Sequence, residues 1–175
     1  MIKFRTGLFF IGGVALLASL MLLPTGQAQP LVQNPAYDVM LKGLLDFSVP
    51  VIGVSQIEDT ERYVFLDARE KAEFEISHIE KARHIGYDHF DLKTVEDLPK
   101  ETPIIVYCSI GYRSEKIGEQ LVQAGFSNVS NLYGSIFEWV NQGKPLFDKE
   151  GPTSKVHAYS KTWGIWLTEG EKVYE

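Results

Sequence analysis

The stretch "IIVYCSIGYRSEKIGEQLVQAG", residues 104–125, decides how this chain is read. Residues 104–107 form an unbroken β-prone apolar run, the pattern of a strand buried on both faces of a sheet. From Ser114 the pattern changes: Ile117, Leu121 and Ala124 share one helical face, and Gly125 stops the run. Between strand and helix lie Cys108, Ser109, Ile110, Gly111, Tyr112 and Arg113. A strand–loop–helix unit of this kind belongs to an α/β fold, in which ligands collect at the carboxyl ends of parallel strands.

The same alternation extends in both directions. Upstream, the apolar run 63–66 is followed by Asp67, Arg69 and a helical stretch over 70–76, and residues 82–87 are a further short strand. Residues 49–54 are β-prone, with Pro50 arguing for a sheet edge. An amphipathic helix is expected over 37–45, a helix entry at 55–58, and a short helix or turn over 91–97 closed by Pro99. Downstream, residues 129–132 read as a strand and 135–141 as a helical turn ending at Gly143. Strands and helices in this order predict an α/β domain with a central, mainly parallel five-stranded sheet and helices on both faces.

The chain has 175 residues, 45% of them apolar and 23% charged, enough for one domain with a real core and an appendage. A net charge of −6 with interspersed signs excludes a nucleic-acid binder built on a basic surface. Residues 1–28 have the layout of a secretory signal: Lys3 and Arg5 precede an uncharged apolar run, and Gly26-Gln27-Ala28 offers a cleavage site. Cleavage after Ala28 would remove both cations and take the net charge to −8. The expected location is then the periplasm or cell envelope, with no stable membrane association. An uncleaved anchoring helix is the competing expectation. Residues 29–50 read as a leader and N-terminal helix, 51–147 as the main domain, and 148–175 as an aromatic extension folding back on it.

Export bears on Cys108, the only cysteine in the chain. In an oxidising compartment a thiol without an intrachain partner is either buried and inert or kept free for use. The loop around it favours use. The helix that follows directs free N–H groups and the positive end of its dipole at the loop. Gly111 can take the positive φ that a ring of inward-facing amides needs, and Arg113 adds a fixed positive charge. Each of these stabilises a thiolate, the nucleophilic form of cysteine.

Three blocks carry a resemblance. Residues 108–114, Cys-Ser-Ile-Gly-Tyr-Arg-Ser, resemble the active-site loop of single-domain rhodaneses, sulfurtransferases with a C-x-x-G-x-R-S pattern. Residues 65–70 with Glu73-Phe74 and His78-Ile79 resemble that family's D-x-R, E-F and G-H-I block. Residues 133–139 with 143–146 resemble its closing G-G, W and G-x-P-L block. Three departures stand out: Ser77 and Ser135 replace glycines, and Glu80-Lys81-Ala82 replaces Pro-Gly-Ala. All three read as scaffold positions.

The resemblance implies a rhodanese-like domain in which Cys108 takes sulfane sulfur from a small anionic donor such as thiosulfate. It then passes the sulfur from a persulfide to a thiol or cyanide-like acceptor, or to a protein acceptor. Ser109, Ile110, Gly111, Tyr112 and Arg113 would form the anion-binding loop, with Arg113 holding either the donor or the loop. Asp67, Arg69 and Ser114 are accessory candidates, Asp67 and Arg69 more readily explained by local backbone bonding and ion pairing. No metal or organic cofactor is needed, and His78, His84, His89 and His157 lack a metal-binding spacing. The tryptophans Trp139, Trp163 and Trp166 read as packing residues. A non-catalytic sulfur carrier or protein-interaction module is the main alternative. A phosphatase or arsenate reductase fits less well, because four residues rather than five separate Cys108 from Arg113.

Overall fold

Five short segments, four of them carrying β-branched or aliphatic residues, form the strands of a single parallel sheet. The computed structural model describes residue 1 and residues 30–174, so the signal-like segment and its cleavage site lie outside the described residues. The strands are β1 (Val51–Ile52), β2 (Val64–Asp67), β3 (Arg83–His84), β4 (Ile104–Tyr107) and β5 (Val129–Leu132), in the order β1-β5-β4-β2-β3. All four pairings are parallel, with Asp67 beside Tyr107 and Val106 beside Asn131. β1 is an edge strand, which leaves Pro50 free of a central ladder.

The alternation along β4 divides the core. Ile104 and Val106 face one side, with Leu66, Ile117 and Leu121, so α3 (Tyr112–Gln123) covers that face. Ile105 and Tyr107 face the other, where α1 (Pro35–Leu44) and α4 (Ser135–Asn141) pack through Tyr37, Leu41, Ile136 and Phe137. Burial of such apolar side chains at about 25 cal/mol per Å² is the main force holding the layers together. The remaining helix, α2 (Lys71–Ile76), follows β2. α1 is capped by Asn34, whose Oδ1 accepts from Ala36 and Tyr37, with Pro35 at the first helical position. Shorter 3₁₀ turns occupy Val54–Gln56, Thr60–Arg62, Leu92–Val95 and Gly164–Trp166.

Four details differ from the sequence reading. α3 begins at Tyr112, not Ser114, because Gly111 at φ +123 completes the turn early. Tyr112 and Arg113 therefore stand in the first helical turn and not in the loop. The boundary expected between 147 and 148 falls inside a strand, β6 (Leu146–Asp148), which pairs antiparallel with β7 (Gly151–Thr153). A second small sheet joins β8 (Lys155–His157) to β9 (Glu171–Val173) in parallel. These strands carry too few apolar residues to show a period, so the sequence read them only as an aromatic segment. Val156, Ala158 and Leu167 bury that segment in the same core cluster as α1 and α4. Finally, Lys81 and Ser135 stand at φ +60 and +54, left-handed backbone, where the pattern they resemble carries glycine.

Candidate functional site

Cys108 leaves the end of the central strand β4 and turns at once into α3. Its side chain is almost fully buried, yet Sγ lies on the wall of a cavity of about 280 Å³. The loop folds back on the sulfur: Gly111 donates its N–H to Sγ at 3.1 Å, and Ser114 Oγ lies 3.5 Å from Sγ. Only a residue free of the Cβ penalty reaches φ +123 easily, so Gly111 is what allows its amide to face the sulfur. α4 clamps the loop from behind, with Ile136 and Phe137 donating their N–H groups to the carbonyls of Cys108 and Ser109.

Burial pushes the Cys108 thiol up, but Arg113, the hydroxyl and amide of Ser114 and the amide of Gly111 outweigh it, and the thiol lies below its ordinary value. The sign follows directly: the thiolate is populated at pH values where a free cysteine, with a pKa of about 8.5, is still protonated. Alkylation of Cys108 by iodoacetamide will therefore hold its rate down to a lower pH than that of a model thiol. A profile that follows the free thiol would contradict the assignment.

Arg113 is not a free cation. Nη1 donates to Glu73 Oε2 at 2.7 Å and Nη2 to Oε1 at 2.9 Å, a two-pronged pair, and Nη2 also reaches Ser109 Oγ at 3.0 Å. Ser109 Oγ in turn donates to Glu73 Oε1 at 3.1 Å. Burial opposes the Glu73 charge, but Arg113 and the Glu70 amide hold its carboxyl below the ordinary value. One carboxylate on α2 thus ties both ends of the cysteine loop together. Asp67 and Arg69 form a second pair, both fully buried: Nη2 meets Oδ2 at 2.6 Å and continues to the carbonyl of Ser77 at 2.6 Å. Neither lines the cavity.

The cavity is lined by Leu44, Ser109, Ile110, Tyr112, Arg113, Tyr159 and Trp163 beside Cys108. Glu115 of α3 accepts from the amides of Asp46 and Ser48, which fixes the chain after α1 and keeps Leu44 on the wall. Trp163 is therefore more than a packing residue: it touches the core and also faces the cavity. Ser135 is not remote scaffold either, because its Oγ accepts the Cys108 N–H at 2.9 Å. Asn131 on β5 accepts from Ser114 at 2.7 Å and donates to the Gly111 carbonyl at 2.9 Å. His157 lies 3.7 Å from Glu73, but its Nδ1 accepts from the Tyr159 amide, which puts the ring proton on Nε2. Burial keeps its pKa below the ordinary value despite Glu73, so the contact is not an ion pair at neutral pH.

Glu73, Asn131, Ser135, Tyr159 and Trp163 were missed as site residues by sequence reasoning. Glu73 had a signal, its place in a family block, whereas the others come from elements whose packing only the fold reveals. His78 donates Nδ1–H to the Phe74 carbonyl at 3.0 Å and stacks on that ring, away from the cavity. Among the described residues, no group of three His, Cys, Asp or Glu is arranged to hold a metal ion, and no helix is long and apolar enough to cross a membrane.

The site is thus a buried cysteine at the end of the central parallel strand, with Arg113 of the following helix tied to Glu73 of α2. The rhodanese-like domain model matches residues 54–142, and the chain belongs to that family. Over 96 residues it is 30% identical to a sulfurtransferase of Allochromatium vinosum, covering 55% of this chain and 89% of that protein. It is 33% identical over 96 residues to the tRNA uridine(34) hydroxylase of Yersinia enterocolitica, but spans only 27% of that enzyme's length. The fold superposes on a thiosulfate sulfurtransferase of Pseudomonas aeruginosa with a TM-score of 0.53 at 23% identity, covering 75% of this chain and 26% of that one. A protein from Bacillus halodurans gives a TM-score of 0.53 at 24% identity, covering 67% of this chain and 89% of its own. At these identities the two structures share the fold.

Proposed function

We propose that the protein is an exported sulfurtransferase that moves sulfane sulfur to a thiophilic acceptor through a persulfide on Cys108. The observation that carries this reading is the Cys108 thiol on a cavity wall, held below its ordinary pKa with the Gly111 amide 3.1 Å from its sulfur. Family membership and the sulfurtransferase of Allochromatium vinosum support it. With thiosulfate as the simplest donor, the Cys108 thiolate attacks the outer sulfur, the S–S bond breaks, and sulfite departs with the electron pair. The terminal sulfur of the persulfide then carries the negative charge, and amides of the Cys108 loop stabilise it as they stabilise the thiolate. An acceptor thiolate or cyanide attacks that terminal sulfur, takes it, and returns Cys108 as thiolate. No outside oxidant or reductant is required. Arg113 acts by holding the loop on Glu73, and Asp67 and Arg69 act from behind the site without touching substrate.

Export rests on the layout of residues 1–28. Intact mass of the protein recovered from the cell envelope tests both parts together. The expected species lacks residues 1–28 and gains the mass of one sulfur atom on thiosulfate treatment. A wild-type protein that stays unmodified under several sulfane-sulfur donors would sink the sulfurtransferase reading, and a full-length mass would sink export with cleavage.

A further inference from the structure

The space in front of Cys108 is built for something other than a small doubly charged ion. Five of the side chains around it are apolar or aromatic: Leu44, Ile110, Tyr112, Tyr159 and Trp163. The single cation on the wall is Arg113, and both of its terminal nitrogens are spent on Glu73. The guanidinium carbon also lies over the Tyr159 ring, 5.0 Å from its centroid. The other buried cation nearby, Arg69, is matched by Asp67. Arg113 favours the thiolate through a guanidinium already paired with Glu73, so a dianion would have to share that one cation with both the sulfur and the carboxylate. An apolar cavity of about 150 Å³ accommodates a benzene ring, and this one is about 280 Å³.

Tyr159 is also held there at some backbone cost. It stands at φ +63, left-handed for a residue with a Cβ, and its amide is tied to His157 Nδ1. Half-exposed at the mouth, it has little core role to justify that conformation. Tyr159 and Trp163 both lie beyond residues 54–142, outside the part of the chain that the family model matches.

We propose that the preferred sulfur donor is a singly charged organic sulfane, a persulfide or thiosulfonate bearing an apolar group that rests against Tyr159 and Trp163. This rests on the sulfurtransferase reading above and narrows its substrate. For a thiosulfonate, the Cys108 thiolate attacks the terminal sulfur, the S–S bond breaks, and the organic sulfinate leaves with the electron pair, giving the Cys108 persulfide. For an organic persulfide the leaving group is the organic thiolate. Each exchange turns two single negative charges into two, whereas thiosulfate brings a dianion against a thiolate whose neighbouring cation, Arg113, is already paired with Glu73.

The test compares benzenethiosulfonate with thiosulfate as donors and cyanide as common acceptor, reading thiocyanate. Wild type should show a kcat/KM ratio favouring the aryl donor by about 100-fold. Because thiosulfonates differ from thiosulfate in intrinsic reactivity, the decisive reading is the change of that ratio in variants. Tyr159→Ala and Trp163→Ala should each lower it about tenfold, and a ratio taken within one preparation is independent of the folded fraction. An unchanged ratio in both variants overturns the proposal, as does equal use of the two donors by wild type, and either result leaves the sulfurtransferase reading standing. No thiocyanate and no persulfide with either donor overturns both.

Discussion

Cys108→Ser takes up no sulfur from any donor, and its conversion of cyanide to thiocyanate falls by at least about 10⁴-fold, the scale set by loss of a covalent nucleophile. The reason is ionisation. The wild-type sulfur is held below its ordinary pKa by Arg113, Ser114 and Gly111 against the effect of burial. A serine hydroxyl remains protonated in the same surroundings and forms no persulfide. The loop itself should survive, because the smaller Oγ can still accept from the Gly111 amide that now meets Sγ at 3.1 Å. Stability measured by chemical denaturation should therefore change by no more than about 1 kcal/mol. Sulfur found on the variant by intact mass would refute the assignment of the nucleophile. A folded variant that has lost only turnover is the expected result.

Arg69→Met has its main effect on stability, with an expected loss of about 3–5 kcal/mol. Arg69 is fully buried, and its Nε and Nη2 meet both oxygens of Asp67, while Nη2 also holds the Ser77 carbonyl. Removing it leaves a buried carboxylate that keeps the backbone amide of residue 69 and the neighbouring Tyr107 side chain but has no cation. Nη1 has no hydrogen-bond partner among the described residues, so the pair is incompletely satisfied even in wild type, although the guanidinium carbon lies over the Tyr107 ring. For that reason Asp67→Asn combined with Arg69→Met should regain much of the loss, since no uncompensated charge is then buried. A single variant within 1 kcal/mol of wild type, roughly the scale of a surface change, would show that water reaches Asp67. Ser77 closes α2, the helix that carries Glu73, by donating its N–H to the Glu73 carbonyl, and Arg69 holds the carbonyl of the same residue, so loosening Arg69 should also slow sulfur uptake without abolishing it.

Much of this arrangement is legible in particular residues. Ile104 to Tyr107 read as a strand buried on both faces because all four side chains are apolar or aromatic, and all four are buried. Ile117 and Leu121 mark the buried face of α3 by their spacing. The pattern C-x-x-G-x-R-S singles out Cys108 as the candidate nucleophile, since it joins the one cysteine of the chain to a glycine able to take positive φ. The start of α3 was misread by two residues because Tyr112 and Arg113 have no periodic signature of their own; the Gly111 backbone decides where the helix begins. Glu73 carries a clear local role as a first-turn acid, and nothing along the chain states that it will meet Arg113 forty residues later.

What the sequence alone determined is therefore local and chemical: the order of strands and helices, the family, and the identity of the cysteine. Side-chain period and turn residues act over a few positions and leave their mark in composition. Tertiary structure decided everything that needs two distant segments to meet. It tied Arg113, read as a holder of either the donor or the loop, to Glu73 and Ser109, and it made Ser135, read as scaffold, a partner of the Cys108 amide. It also brought Tyr159 and Trp163 of the last segment to the wall of the cavity that Cys108 lines. Such contacts arise from burying apolar area and pairing buried charge across the whole chain, and neither leaves a periodic trace in any one stretch of it.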